Sequence, residues 1–159
     1  MASAVEFIPS NAYPTLKELQ AVEGDESYLD YYDLQRENRE SFKKSLKETF
    51  SECSEGNWDG YDAEPISIAS YREAEKVLTL IPLNFPSPFV VPQPDGGLAF
   101  EWSGLENRSF IASFNGQSII YLSWYRGSPD SAGSAREKLS EELPTYLLNF
   151  IRDVFVEKM

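Results

Sequence analysis

The chain contains no histidine and a single cysteine, Cys53, among its 159 residues. Without an imidazole there is no Ser-His-Asp or Cys-His machinery, and one thiol can close no disulfide within the chain. Structural zinc sites built from Cys and His are excluded on the same ground. Long apolar runs are missing too, since none approaches the roughly 18–20 residues that span a bilayer. No membrane partner is therefore expected. The opening MASAVEFIPSNAYP has neither the basic start nor the apolar stretch of a secretion signal, so a cytoplasmic location is expected. Basic residues are scarce: 14 Lys and Arg stand against 26 Asp and Glu, a net charge of −12.

That imbalance is uneven. Up to Glu64 there are 15 acidic and 6 basic residues, and from Pro65 onward 11 and 8. An acidic half repels phosphate backbones, which argues against direct nucleic-acid binding, and it attracts a basic protein partner. The most concentrated stretch is EGDESYLDYYD, residues 23–33, with five carboxylates, three tyrosines and no base. Carboxylates supply steering and tyrosines supply contact area at low entropic cost. Glu23, Asp25, Glu26, Tyr28, Asp30, Tyr31, Tyr32 and Asp33 are accordingly the candidate partner-binding residues. The plainer reading is a solvated strip held to the body by one or two tyrosines, its charge serving solubility.

The 42% hydrophobic and 14% aromatic content can sustain one core in a chain of this length. Residues 1–34 read as an irregular acidic segment, interrupted by Pro9, Pro14 and Gly24, and residues 35–159 as a single α+β domain. From about Asp33 to Cys53 the apolar period is helical: Phe42, Leu46, Thr49, Phe50 and Cys53 share a face, with Arg39, Glu40, Lys43, Lys44 and Lys47 on the others. Cys53 lies on the apolar face and reads as a buried, inert thiol. Gly56 suits the end of that helix, and Ser67 suits the cap of a second one with Ala74, Val77, Leu78 and Ile81 as its buried stripe.

Four strand-like runs follow the proline-rich connector PLNFPSP: residues 89–91, 97–103, 108–115 and 118–125. Asn115-Gly116 is a strong hairpin signal. A two-residue turn there would set Phe114 opposite Gln117, Ala112 opposite Ile119 and Phe110 opposite Tyr121. One face would then hold Phe110, Phe114, Ile119 and Tyr121, and the other Ile111, Ile120, Leu122 and Trp124. With both faces apolar, either helices cover both or one face is a binding surface, and a mostly covered sheet is expected. RGSPDSAGSAREK, residues 126–138, reads as a flexible loop. A last helix over residues 140–155, capped by Ser140 with Pro144 in its first turn, completes the pattern. The expected fold is α+β: helices packed on a four-stranded antiparallel meander, with a C-terminal helix.

Between the first two helices lies NWDGYDAEPIS, residues 57–67. Asp59, Asp62 and Glu64 could in principle hold magnesium by carboxylates alone, but their spacing matches no ligand pattern with a mechanism. No metal or cofactor is expected. Trp58 and Tyr61 are expected to fold back and plug the corner between the helices. This stretch and PDGGLAFEW, residues 94–102, together resemble a family of small uncharacterised bacterial proteins in which W-D-G-Y-x-A-x-P precedes P-D-G-G-x-x-x-E-W. Trp58, Asp59, Gly60, Tyr61, Ala63 and Pro65 match the first block, and Pro94, Asp95, Gly96, Gly97, Glu101 and Trp102 the second. The resemblance covers roughly residues 56–125, implies a bacterial or phage origin and one compact unit, and assigns no catalytic residue. On this reading Trp58, Asp59, Gly60, Tyr61, Pro65, Glu101 and Trp102 are structural.

The function expected from these observations is that of a non-catalytic regulator or inhibitor, in a bacterial or phage defence or counter-defence setting, engaging a basic protein through an acidic surface. Two alternatives stand beside it. One is a nucleic-acid mimic that blocks a DNA- or RNA-binding protein, and the other a hydrolase using carboxylate-held metal.

Overall fold

The computed structural model describes residues 26–155, with side chains from Asp33 onward. Helices α1 (Glu26–Glu52) and α2 (Ile68–Leu80) precede five strands, β1 (Phe89–Pro92), β2 (Leu98–Ser103), β3 (Ser109–Phe114), β4 (Ile119–Tyr125) and β5 (Gly133–Lys138). Helix α3 (Thr145–Phe155) closes the chain order. The strands form one antiparallel sheet in sequence order, β1-β2-β3-β4-β5. The fold is α+β.

Several boundaries differ from the sequence reading, each for a local reason. Helix α1 begins at Glu26 rather than near Asp33, so residues 26–33 are helical, not irregular, and the helix runs across the 34/35 boundary. Residues 126–138 are not a loop. Ser128 and Ser131 form a reciprocal capping box around a short turn at Pro129–Ser131, and Gly133–Lys138 then pairs with β4 as a fifth strand. Gly133 is required at that point, because a Cβ would lie 2.6 Å from the Trp124 ring. Helix α3 starts at Thr145, with Leu147 N–H donating to the Pro144 carbonyl, while Ser140 Oγ donates to the Glu142 carbonyl instead of capping.

Helix α2 follows its sequence signals closely. Ser67 is its cap, accepting from Ser70 N–H at 3.0 Å. It ends where Ile81 turns extended (φ −82°, ψ 127°), as the residue before Pro82 must.

The hairpin register is the main correction. Phe114 pairs with Ile120, Ala112 with Leu122 and Phe110 with Trp124, not with Gln117, Ile119 and Tyr121. The shift is odd in residue number, so it exchanges the two faces of β4. Ile120 and Leu122 therefore join Phe110, Ala112 and Phe114 in the core. Its cause is a longer turn: Gly116 and Ser118 both take positive φ (84° and 60°). Glu73, buried on α2, holds that turn by accepting from Gly116 N–H at 2.8 Å and Ser118 N–H at 2.5 Å.

All three helices of the described residues lie on the same face of the sheet. Phe42 and Leu46 of α1, Ala74, Val77 and Leu78 of α2, and Leu147, Ile151 and Val154 of α3 converge on Phe100, Trp102, Phe110, Phe114 and Leu122. Phe100 sits at the centre, edge-on to Phe42 at 5.2 Å and to Phe114 at 5.0 Å. The expectation of a mostly covered sheet is thus corrected. Among the described residues the second face, with Ile111, Ser113, Ile119 and Tyr121, carries no helix. The register shift explains this, since moving Ile120 and Leu122 inward leaves serines alternating with partly exposed apolar residues outside.

The two amides bonded to Glu73 would lose their acceptor in Glu73→Ala. Expected is a loss of about 1–2 kcal/mol in urea unfolding, the cost of removing two charge-assisted bonds to part-buried amides. A loss within about 0.5 kcal/mol, the range of an ordinary surface change, would show that the carboxylate does not hold the turn.

Candidate functional site

Residues 53–67 connect α1 to α2 and contain the first motif block. The loop is built on backbone that only some residues tolerate. Asn57 and Asp62 have φ of 62° and 68°, and Gly60 has 79°. Asn and Asp tolerate this region because their short side chains bond to nearby backbone. Asn57 Oδ1 accepts from Asp62 N–H at 2.8 Å, and Asp59 Oδ1 accepts from Tyr61 N–H at 2.8 Å and Ala63 N–H at 3.2 Å. Asn57 N–H closes the loop on the Ala63 carbonyl at 2.7 Å.

The loop is also tied down from outside. Ile66 N–H donates to the Cys53 carbonyl at 2.9 Å, and Trp58 Nε1 donates to the Glu64 carbonyl at 2.7 Å. The two motif blocks meet: Glu64 N–H bonds to the Pro94 carbonyl at 2.8 Å and Ser67 N–H to the Gly96 carbonyl at 2.9 Å. Gly96 (φ 92°) is held to glycine from two sides, because a Cβ would also stand 3.0 Å from the Pro65 carbonyl. The residues quoted in both blocks therefore form one clamp between the loop and the β1–β2 turn.

Within the clamp the two rings part company. Trp58 is half-buried and packs against the core. Tyr61 is not a plug: it is 88% exposed. The reason is the turn itself, which spends Asp59 on the Tyr61 amide and aims the phenol outward. Around it no Lys or Arg occurs between Lys47 and Arg72, while Glu48, Glu52, Glu55, Asp59, Asp62 and Glu64 do. Glu52, Glu55, Asp62 and Glu64 are exposed. The arrangement is an exposed aromatic ring on a hydrogen-bonded loop among carboxylates. Among the described residues no three Asp, Glu or Cys side chains converge on a point that could hold a metal ion. Cys53 is buried, and burial, assisted by Glu52, pushes its thiol up and away from the reactive thiolate.

The second block is also structural in part. Trp102 is buried, with Nε1 donating to the Pro86 carbonyl at 2.9 Å. Glu101 is half-exposed on the open face and accepts from Ser103 Oγ at 2.9 Å. Of the tyrosine-rich strip, Glu23 and Asp25 lie outside the described residues. Glu26, Tyr28, Asp30, Tyr31 and Tyr32 lie on the first turns of α1, with side chains outside the described set. Asp33 is exposed and loosely paired with Arg36 at 4.0 Å.

Sequence reasoning missed three buried or part-buried charges. Glu73 is described above. Arg39, placed on a solvent face, instead donates to the carbonyls of Leu78 (3.0 Å), Ile81 (2.8 Å) and Pro82 (3.2 Å), capping α2 from α1. Arg108 is 3% exposed and donates to the carbonyls of Leu105 (3.1 Å) and Asp153. For Glu73 and Arg39 a signal existed, since each falls at helical spacing on the apolar stripe of its helix (Glu73 with Val77, Arg39 with Phe42 and Leu46).

No protein-family model, curated protein or solved structure matches this chain. What the fold defines is an α+β domain with helices on one face of a five-stranded antiparallel meander. No helix of the described residues is long and apolar enough to cross a membrane.

Two measurements check these assignments. Trp58→Ala is expected to cost about 2 kcal/mol in urea unfolding, below the roughly 3–5 kcal/mol of a fully buried ring. Tyr61→Ala is expected to stay within about 0.5 kcal/mol of the parent; equal losses at the two positions would contradict the difference in burial. Tyr146 on α3 offers a separate probe. Partial burial and its hydrogen bond to the Glu137 carboxylate push its phenol up to about 12. A raised phenol favours the folded state fully below the ordinary tyrosine value of about 10, and that contribution is lost as pH rises towards 12. Tyr71 is raised as well, by burial and by Glu75, so absorbance titration is expected to show late tyrosines of which the step at about 12 disappears in Tyr146→Phe. If that step persists in the variant, the assignment is wrong.

Proposed function

We propose that this chain is a non-catalytic regulator or inhibitor that binds a basic protein through its acidic surface, with Tyr61 as the central contact. The observation that carries the reading is an aromatic ring held 88% exposed on a locked loop within a run of carboxylates. A loop whose conformation is set by its own hydrogen bonds loses little entropy on binding. Tyrosine gives large contact area with two rotatable bonds, and carboxylates around it raise the encounter rate with a cationic partner. The N-terminal strip Glu23–Asp33 adds charge of the same sign, and three tyrosines, to the same half of the sequence. A nucleic-acid mimic would also seek a basic partner, but its contacts would be carboxylate throughout. An exposed ring amid the acids favours a protein contact instead. A metal-dependent hydrolase has no converging donor set to draw on among the described residues. The motif resemblance supports a bacterial or phage setting, in defence or counter-defence.

The test is affinity capture from the host lysate, followed by kinetics of the identified partner against variants. The captured protein is expected to be basic. Glu55→Lys with Asp62→Lys and Glu64→Lys is expected to slow association at low salt, with the difference shrinking as the Debye length falls to about 8 Å at physiological strength. Tyr61→Ala is expected to weaken binding about tenfold or more, as the loss of an interface anchor does. A second triple variant, Asp25→Lys, Glu26→Lys and Asp30→Lys, reports on the N-terminal strip. Unchanged kinetics in both triple variants and in Tyr61→Ala would sink the proposal.

A further inference from the structure

Among the described residues the sheet has one face covered by helices and one open, and the open face is where the charges change character. Along β5, Arg136 and Lys138 are exposed on it, while Glu101 of β2 stands on the opposite side of the same face. Among the described residues neither base nor Glu101 has an ion-pair partner. Between them lie Ile111 and Tyr121, partly exposed and diagonal to one another across β3 and β4, Ile111 pairing with Ser123 and Tyr121 with Ser113. On a chain of net charge −12, this face carries one carboxylate against two bases on its paired strands. It is the surface least repelled by another copy of the chain.

We propose that the open face binds a second copy of this chain, forming a two-fold sandwich of sheet on sheet. The geometry selects the axis. A two-fold axis parallel to the strands, above β3, lays β2 of one copy over β4 of the other and β1 over β5. Glu101 of each copy then falls in the region of the other's Arg136, and the apolar centre with Ile111 and Tyr121 is buried between them. The strands of the two sheets stay nearly aligned, the arrangement that twisted sheets adopt when they pack about 10 Å apart. An axis across the strands would instead set β2 over β2 and leave like charges facing. Five strands at about 4.8 Å spacing and six residues at about 3.3 Å give a footprint of roughly 24 by 20 Å. The flat area, about 480 Å², is near the roughly 500 Å² per partner that marks the lower bound for a specific interface. Side-chain relief brings that towards the roughly 600–1,000 Å² each partner contributes to a stable interface. Tyrosine at the centre and charge at the edge is the usual interface pattern. This inference is independent of the acidic loop, which lies at the α1–α2 connection.

The experiment is sedimentation velocity across a concentration series on the full chain, with circular dichroism to confirm folding. The parent is expected to dimerise. Glu101→Arg alone and Arg136→Glu alone are each expected to shift the population to monomer. Mixing those two variants one to one is expected to restore the dimer, because each face then meets its complement, and so is the double variant. Ile111→Asp is expected to abolish dimerisation with its fold intact. A parent that stays monomeric at all concentrations overturns the proposal, as does a dimer indifferent to the charge exchange. If Ile111→Asp leaves an already monomeric chain unable to bind the basic partner, the face belongs to that partner and the proposal falls.

Discussion

The carboxylate of Glu73 decides more of this structure than any other single group. It sits on the buried side of α2 and accepts two amides of the β3–β4 turn, Gly116 and Ser118. Those bonds stabilise a turn longer than the Asn-Gly pair alone would make, and the turn length sets which residues of β4 face inward. With Ile120 and Leu122 turned into the core, Ile119 and Tyr121 are turned out. The division of the sheet into a covered face and an open one follows from a helix-to-hairpin contact made by one buried acid. A carboxylate accepting two amide protons is a charge-assisted arrangement, stronger than its neutral equivalent, and it would be costly to leave half-made.

Two arginines extend the same principle. Arg39 reaches from α1 to the C-terminal carbonyls of α2, a helix that has no basic residue of its own in its last turn. Arg108 reaches from the β2–β3 connection to the Asp153 carbonyl near the end of α3. Each supplies positive charge where a helix dipole ends negative, and each bonds carbonyls at or just beyond the end of a helix. The apolar core brings the helices onto the sheet without direction. The arginines specify where along the sheet two of them stop. Gly104 marks how tightly α3 is seated, since a Cβ there would collide with the Val154 carbonyl.

The acidic surface and the core are separate in this molecule. The loop bearing Tyr61 is held by bonds to its own backbone and to the β1–β2 turn, so its conformation does not depend on what it meets in solution. Its outward ring is thus a property of the folded chain. Trp58, three residues earlier in the same motif, meets the core instead. One short stretch therefore provides both an anchor and an exposed tip.

From the sequence alone the elements that depend on short-range chemistry were legible. Helix α2 starts at Ser67 and stops before Pro82, and the Pro94–Gly97 turn and the apolar stripes of α1 and α3 lie where capping residues, prolines and helical spacing put them. The buried state of Cys53 followed from its place on a stripe. What was not legible depended on partners distant in sequence. Asn115-Gly116 specifies a reversal but not its length, and that was set by Glu73, more than forty residues earlier. Gly133–Lys138 has the composition of a loop and became a strand because β4 offered it an edge and Gly133 let Trp124 approach. Tyr61 and Trp58 differ by nothing local that predicts burial; only the Asp59 turn and the docking on Pro94 and Gly96 separate them. Local patterns determine which residues form helices and turns, because capping, backbone preference and periodicity act within a few residues. Register, covering and exposure are decided by contacts that exist only once the chain has closed on itself.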